Sequence, residues 1–213
     1  MKIKVCGMKV LENIQQLSRL DIDYIGLIFY SKSPRACDPN TINWAALKEM
    51  GKEFVGVFVN TSIEDLLSTI EGSPINTLQL HGNESPEYCQ ELKSKGYTII
   101  KAFGVGKDFR WQSCKEYLES VDYFLFDTQS KNHGGTGKKF DWEVMKSYPY
   151  NKPFLLSGGI SLDDLSTLQK LKLNRMLGVD VNSRFEIEPG IKKIDDINIF
   201  TRGLHSLNKD SKQ

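Results

Sequence analysis

The chain has 213 residues, 39% of them hydrophobic and 26% charged, the balance of a globular domain that can bury one large core rather than of a disordered or fibrous chain. A formal net charge of +1, with both signs interspersed, excludes a global field that steers nucleic acid or an anionic membrane surface. No apolar run approaches the ~20 residues of a membrane span, Lys2, Lys4 and Lys9 break up the apolar start a signal peptide needs, and four cysteines without CxxC or Cys/His spacing read as free thiols of a cytoplasmic protein, not as a zinc site.

Short β-rich apolar runs alternate with helical patterns along the whole chain. "KIKVC" (2–6) is followed by Leu11, Ile14, Leu17 and Leu20 at helical spacing. "YIGLIFY" (24–30) precedes a polar loop and a helix over "INWAALKEM" (42–50). "FVGVFVN" (54–60) precedes "SIEDLLSTI", with Thr61 or Ser62 as N-cap. "INTLQLHG" (75–82) precedes "SPEYCQELKSKG", where Pro86 suits a first turn and Gly96 a C-terminal stop. "YTIIKAF" (97–103) precedes a weaker helix around "CKEYLES" (114–120). "VDYFLFD" (121–127) is followed by a long glycine-bearing loop and a helix over "DWEVMKSY" (141–148). "KPFLLSGG" (152–159) precedes "SLDDLSTLQKL", and "RMLGVDVN" (175–182) precedes a last helix over residues 194–207.

Strands that alternate with helices predict a parallel sheet, because parallel strands need crossover connections. Eight units, about 25 residues apart, favour a closed (β/α)8 TIM barrel of compact size over an open doubly wound sheet. No composition break divides residues 1–213, so the expectation is one domain with a short flexible tail from about residue 207.

In such barrels the chemistry sits where strands give way to loops on one rim. The residues at those ends are Cys6, Ser33 to Arg35, Gln79 to Gly82, Asp127, Gly158 with Gly159, and Asp180 to Ser183. An isolated glycine pair is more readily a tight turn than an anion site. With "LLSGGI" and "GVDVNSRFE" at adjacent strand ends, the reading turns to a phosphate held on backbone N–H groups. Asp127 closes a strongly apolar run, where partial desolvation keeps a proton on a carboxyl group and suits a general acid; the alternative is a strand cap. The GGTG that follows reads either as a lid or as plain surface loop. By spacing alone, Cys6 reads as one more buried small hydrophobe.

Seven motifs then occur in order: "KVCGM", "GLIFYSKSPR", "GVFVN", "QLHG", "FDT…GGTGKKFDW", "LLSGGI" and "GVDVNSRFE…PGIKK". Together, from about Lys2 to Lys192, the chain resembles the phosphoribosylanthranilate isomerases of tryptophan biosynthesis. The resemblance implies a (β/α)8 barrel with no metal or organic cofactor, acting on a small phosphorylated substrate as a monomer or homodimer. It implies an Amadori rearrangement of N-(5-phosphoribosyl)anthranilate to 1-(2-carboxyphenylamino)-1-deoxyribulose 5-phosphate. Carried over motif by motif, Cys6 becomes general base, Asp127 general acid, and Arg35 the partner of the anthranilate carboxylate. Gln79, His81, Gly158, Gly159, Asp180, Asn182 and Ser183 are the remaining candidates for substrate contact, His81 being as easily a structural hydrogen-bond partner.

Two departures stand out. Ser31 replaces the proline of the family pattern "FYPKSPR", and Asn182 and Arg184 replace a serine and a glycine of "DVSSGVE". If the glycine position requires positive φ, Arg184 is strained; otherwise it adds a cation near the phosphate. Cys37, Cys89 and Cys114 have no matched role, His133 falls in the lid-like loop and His205 on the surface of the last helix. Trp44, Trp111 and Trp142 read as packing residues. Three rivals remain: a related phosphoribosyl-sugar isomerase, which would use two carboxylates; a non-catalytic barrel that binds a phosphorylated metabolite; and, weakest, a cysteine hydrolase lacking a partnering histidine.

Overall fold

A computed structural model describes residues 1–129 and 139–210, with side chains through residue 206. Eight parallel strands close into a barrel in chain order: β1 (Lys2–Val5), β2 (Tyr24–Ile28), β3 (Glu53–Phe58), β4 (Ile75–Leu80), β5 (Thr98–Val105), β6 (Tyr123–Thr128), β7 (Phe154–Leu156) and β8 (Met176–Val181). The seam is β1 against β8, with Lys4 opposite Asp180 and Val5 opposite Val181. A short antiparallel hairpin, β9 (Glu186–Glu188) and β10 (Ile191–Lys192), follows the barrel.

The helices are α1 (Leu11–Ser18), α2 (Trp44–Glu49), α3 (Ile63–Thr69), α4 (Pro86–Ser94), α5 (Gln112–Lys115), α6 (Leu165–Lys170) and α7 (Ile194–Asp210). Local chemistry sets their starts. Asn43, Ser62 and Ser85 each accept a backbone N–H of the following turn, and Pro86 occupies the first turn of α4. Strand alternation divides the apolar residues between two cores. Ile3, Val5, Phe54, Phe126 and Val179 face the helices, while Tyr24, Val55, Ile100, Leu125 and Leu155 fill the barrel interior.

Three expected helices differ from the sequence reading. "DWEVMKSY" forms a 3-10 segment over Trp142–Ser147, because Pro149 forces Tyr148 into extended backbone and leaves no room for a longer helix. The fifth helix is the single turn α5, which takes in only Cys114 and Lys115 of "CKEYLES". Beyond it Tyr117 is held by its ring, edge-on to Phe103, and by its hydroxyl, which donates to the Glu84 carbonyl at 3.0 Å. That packing overrides local propensity. "SLDDLSTLQKL" splits into a 3-10 turn, Leu162–Asp164, and α6, and a Ser161/Asp164 capping box starts it. The last helix runs as backbone to Asp210; the rest of the expected tail from about residue 207, like the GGTG segment and His133, lies outside the described residues. No helix among the described residues is long and apolar enough to cross a membrane.

Candidate active site

A cavity of about 270 Å³ opens at the C-terminal rim of the barrel. All ten candidate residues line it: Cys6, Arg35, Gln79, His81, Asp127, Gly158, Gly159, Asp180, Asn182 and Ser183. The convergence follows from topology, since eight parallel strands release their loops on the same rim.

Cys6 stands one residue past β1, and its N–H still donates to the Val181 carbonyl at 2.9 Å, so the strand's alternation continues through it. Ile3 and Val5 turn outward to the helices; Lys4 and Cys6 turn inward. The cysteine is 3% exposed. Burial pushes the thiol up from its usual range, while the Lys4 ammonium opposes that rise and Asp180 adds to it. Gly26 on the neighbouring strand makes room: a Cβ there would lie 2.7 Å from Cys6 Sγ and 3.1 Å from its Cα. Gly26→Ala is therefore expected to displace the thiol and lower kcat by ~100-fold while the barrel still folds, measured by steady-state kinetics beside a melting curve.

Asp127 lies opposite, near the end of β6, its side chain 13% exposed. Its Oδ1 accepts the Thr128 N–H at 2.7 Å, and its Oδ2 lies 3.7 Å from His81 Nε2. Burial pushes the Asp127 carboxyl up to about 6; the Thr128 N–H acts against that shift and the charge of Asp180 adds to it. His81 is oriented in turn by Gln79, whose Nε2 lies 3.0 Å from His81 Nδ1. The other amide atom, Gln79 Oε1, is buried with no hydrogen-bond partner among the described residues, an acceptor on the cavity wall. The loops after β3 and β4 are pinned from below. Glu84 takes the Asn60 and Gly82 N–H groups, and buried Lys101 binds Glu84 at 3.0 Å and the Gly82 carbonyl at 2.7 Å.

At the opposite lip, Gly158 and Gly159 both adopt left-handed backbone, with φ of 96° and 64°. A Cβ on Gly158 would fall 2.4 Å from Thr128 Oγ1, so this wall presents backbone where any side chain would collide. Ser183 and Arg184 sit in a 3-10 turn, Ser183–Phe185, after β8. Arg184 is not among the positive-φ residues, so the strain expected at this former glycine position is absent, and its side chain lines the cavity.

Arg35 reaches the cavity but is not a free fork. Its Nε and Nη2 grip Glu186 at 2.8 and 2.6 Å, which leaves the Nη1 side for another anion. Lys192, 1% exposed, donates to Glu186 Oε1 and Asn182 Oδ1 at 2.6 Å each, so the Asn182 amide oxygen is already engaged. Burial pulls Lys192 down to about 8 against the pull of Glu186. On the floor, Lys4 donates to Asp180 Oδ1 at 2.8 Å, and Asp180 Oδ2 accepts Ser157 Oγ at 3.3 Å. Lys4, Gly26, Glu186 and Lys192 are the neighbours that sequence reasoning missed.

The remaining residues stay outside the cavity. Cys37 Sγ donates to the Met8 carbonyl at 3.2 Å, while Cys89 and Cys114 are buried on α4 and α5. His205 pairs with Asp21 at 2.8 Å on the surface. Trp44 meets Phe29, Trp111 joins the Phe126 and Tyr148 rings, and Trp142 is buried. Among the described residues no group of three or more His, Cys, Asp or Glu is placed to hold a metal ion.

Chemically, the cavity offers a thiol and a carboxyl group whose pKa burial raises to about 6, from different strands, with a cation at one lip and glycine backbone at another. That set serves acid–base chemistry on a small anion. Known proteins agree with the geometry. A sequence profile described as "N-(5'phosphoribosyl)anthranilate (PRA) isomerase" matches residues 3–202. An N-(5'-phosphoribosyl)anthranilate isomerase of Parabacteroides distasonis is 43% identical over 206 residues, covering 96% of this chain and 93% of the relative. A crystal structure of phosphoribosyl anthranilate isomerase from Thermotoga maritima superposes with a TM-score of 0.81 at 30% identity, over 97% of this chain and 99% of that one. Another such enzyme, solved in complex with reduced 1-(o-carboxyphenylamino)-1-deoxyribulose 5-phosphate, superposes at 0.78 with 27% identity, over 97% of this chain and 99% of that one.

Proposed function

The chain belongs to the N-(5'-phosphoribosyl)anthranilate isomerase family, and we propose that it catalyses the Amadori rearrangement of N-(5-phosphoribosyl)anthranilate in tryptophan biosynthesis, in the cytoplasm, with Cys6 as general base and Asp127 as general acid. The observation that carries this reading is that a buried thiol and a carboxyl group with a pKa near 6 open onto one cavity.

Asp127 donates its proton to the furanose ring oxygen as the anthranilate nitrogen pushes in its lone pair, so the ring C–O bond breaks and a protonated imine forms. The imine acidifies the C2′ hydrogen. The Cys6 thiolate removes that proton, the C–H electron pair becomes the C1′–C2′ double bond, and the imine π electrons return to nitrogen. The enolamine then tautomerises to the ketone. Gly158, Gly159 and Ser183 take the phosphate on backbone and hydroxyl hydrogens; the Nη1 side of Arg35 takes the anthranilate carboxylate. Gln79 Oε1 accepts from a sugar hydroxyl, His81 orients Asp127, and Asp180 and Asn182 line the floor and lip. A histidine-pathway relative would be expected to place a second carboxylate where Cys6 stands. A binding-only barrel gains nothing from an Asp127 whose pKa is raised to about 6.

The test is to incubate the purified protein with N-(5-phosphoribosyl)anthranilate, follow the loss of its fluorescence and identify the ketose product by NMR. Turnover of this substrate, and none of an aminoaldose phosphate whose amine is not anthranilate, is the expected result. Saturable binding without turnover would overturn the reading in favour of a binding module.

The pH profile of kcat/KM follows from the same two groups. Below about 6 both hold protons, and activity rises with pH as the thiolate forms. Above that, the form with ionised thiol and protonated carboxyl keeps a constant fraction, since one proton is shared between two sites. Activity falls only above the raised thiol pKa. The expectation is a plateau with an acid limb near pH 6, measured from pH 5 to 10; a decline beginning at pH 6 would contradict it.

A further inference from the structure

A base must be ionised, yet Cys6 lies where burial favours the neutral thiol. The groups that face it are few. Lys4 precedes it by two residues on the same face of β1, Asp180 projects from β8, Lys192 from β10, and Cys37 lies in the loop after β2. Asp127 stands across the cavity. Lys192 is already committed to Glu186 and Asn182, and shares Glu186 with Arg35. Lys4 is different. It is 0% exposed inside the barrel, its Nζ is 2.8 Å from Asp180 Oδ1, and its charge acts directly on the Cys6 thiol one pleat further along the strand.

Buried ion pairs are poor sources of stability, because desolvation offsets their attraction. A fully buried lysine beside the thiol is better explained by what its charge does there. In a reading that rests on Cys6 being the base, we infer that Lys4 is the positioning residue that keeps Cys6 reactive: its ammonium, fixed by Asp180, stabilises the thiolate from beneath the cavity.

The ammonium holds its own proton throughout. Burial pulls Lys4 down, but the charge of Asp180 and then of Cys6 outweigh it, and the net direction is up. When the thiolate takes the C2′ proton it becomes neutral, and the pair Lys4–Asp180 remains balanced behind it. The same two charges reach Asp127, where Asp180, acting to retain the proton, outweighs Lys4, acting to remove it. One buried pair therefore favours the proton arrangement the reaction uses: ionised sulfur, neutral carboxyl.

The experiment is the pH dependence of Cys6 alkylation by iodoacetamide, read peptide by peptide by mass spectrometry, with Cys37, Cys89 and Cys114 as internal references. Lys4→Gln, which keeps a hydrogen bond to Asp180 without the charge, is expected to raise the Cys6 midpoint by about two pH units. That slows alkylation ~100-fold at neutral pH. Turnover falls by a comparable factor with little change in KM. Lys4→Met/Asp180→Asn leaves no unpaired buried charge, so it tests the idea should Lys4→Gln fail to fold; its midpoint rises by about one unit. A midpoint within about 0.3 units of the parent in whichever of these folds would overturn the inference. Turnover surviving in Cys6→Ala would instead overturn the assignment of the base, a separate result that the alkylation midpoint does not depend on.

Discussion

Replacing Cys6 with alanine is expected to lower kcat by ~1,000-fold or more, at the upper end of what one general base contributes. The change removes one atom from a side chain that is 3% exposed, so the cost in stability is about 1 kcal/mol. Binding of a reduced product analogue should survive, because the arginine, the glycine wall and the Ser183 turn are untouched. Cys6→Ser sharpens the result. It keeps the geometry and a hydrogen-bonding atom, but a hydroxyl does not ionise at working pH, so turnover stays lost. Steady-state kinetics and calorimetric binding on the same preparations separate lost chemistry from lost affinity. A serine variant with parental kcat would show that acidity at this position is irrelevant.

Asp127→Asn is expected to trade activity for stability. Turnover falls by ~100- to 10,000-fold, because asparagine has no proton to give the ring oxygen. The residual activity should lose the acid limb near pH 6. The folded protein, meanwhile, becomes more stable at pH 8. The carboxyl titrates at about 6 in the fold and near ~3.9 when unfolded, so between those values the folded state holds the extra proton. Stability therefore declines as pH rises from 4 to 6, and above 6 the ionised, buried carboxylate costs about 3 kcal/mol. Asparagine avoids that cost and can still accept the Thr128 N–H. Denaturant midpoints should show the variant ahead at pH 8 and close to the parent at pH 4. A variant less stable than the parent at pH 8 would mean that Asp127 is held as a paired, welcome carboxylate.

The barrel is legible in the sequence because strand and helix periods alternate eight times and turn residues mark the joints. Ser62 and Pro86 announce helices that form as read. Errors fall where packing or proline outweighs periodicity, at Tyr117 and before Pro149. In the site, Asp127 is visible because it interrupts an apolar run at a strand end, whereas Cys6 reads by spacing as a buried small hydrophobe and stands out only through its motif. Their electrostatic partners are not visible. Asp180 meets Lys4 across 176 residues, and Glu186 meets Arg35 across 151, so no local spacing hints at either pair. One signal was present. In a strand, residues two apart share a face, which puts Lys4 beside Cys6 as soon as "KIKVC" is read as a strand. That lysine counts against a signal peptide and also, by period, for the interior of the site. Arg35 shows the complementary failure: its position at the rim is readable, but its engagement by Glu186 is not.

The most direct test of the claim that the thiol of Cys6 moves the substrate proton uses N-(5-phosphoribosyl)anthranilate labelled with tritium at C2′. The protein should release the label to water in step with product formation, and Cys6→Ala should bind the same substrate and release none above the uncatalysed rate. Label released by Cys6→Ala at the parental rate, or product formed by that variant at the parental rate, would contradict the account.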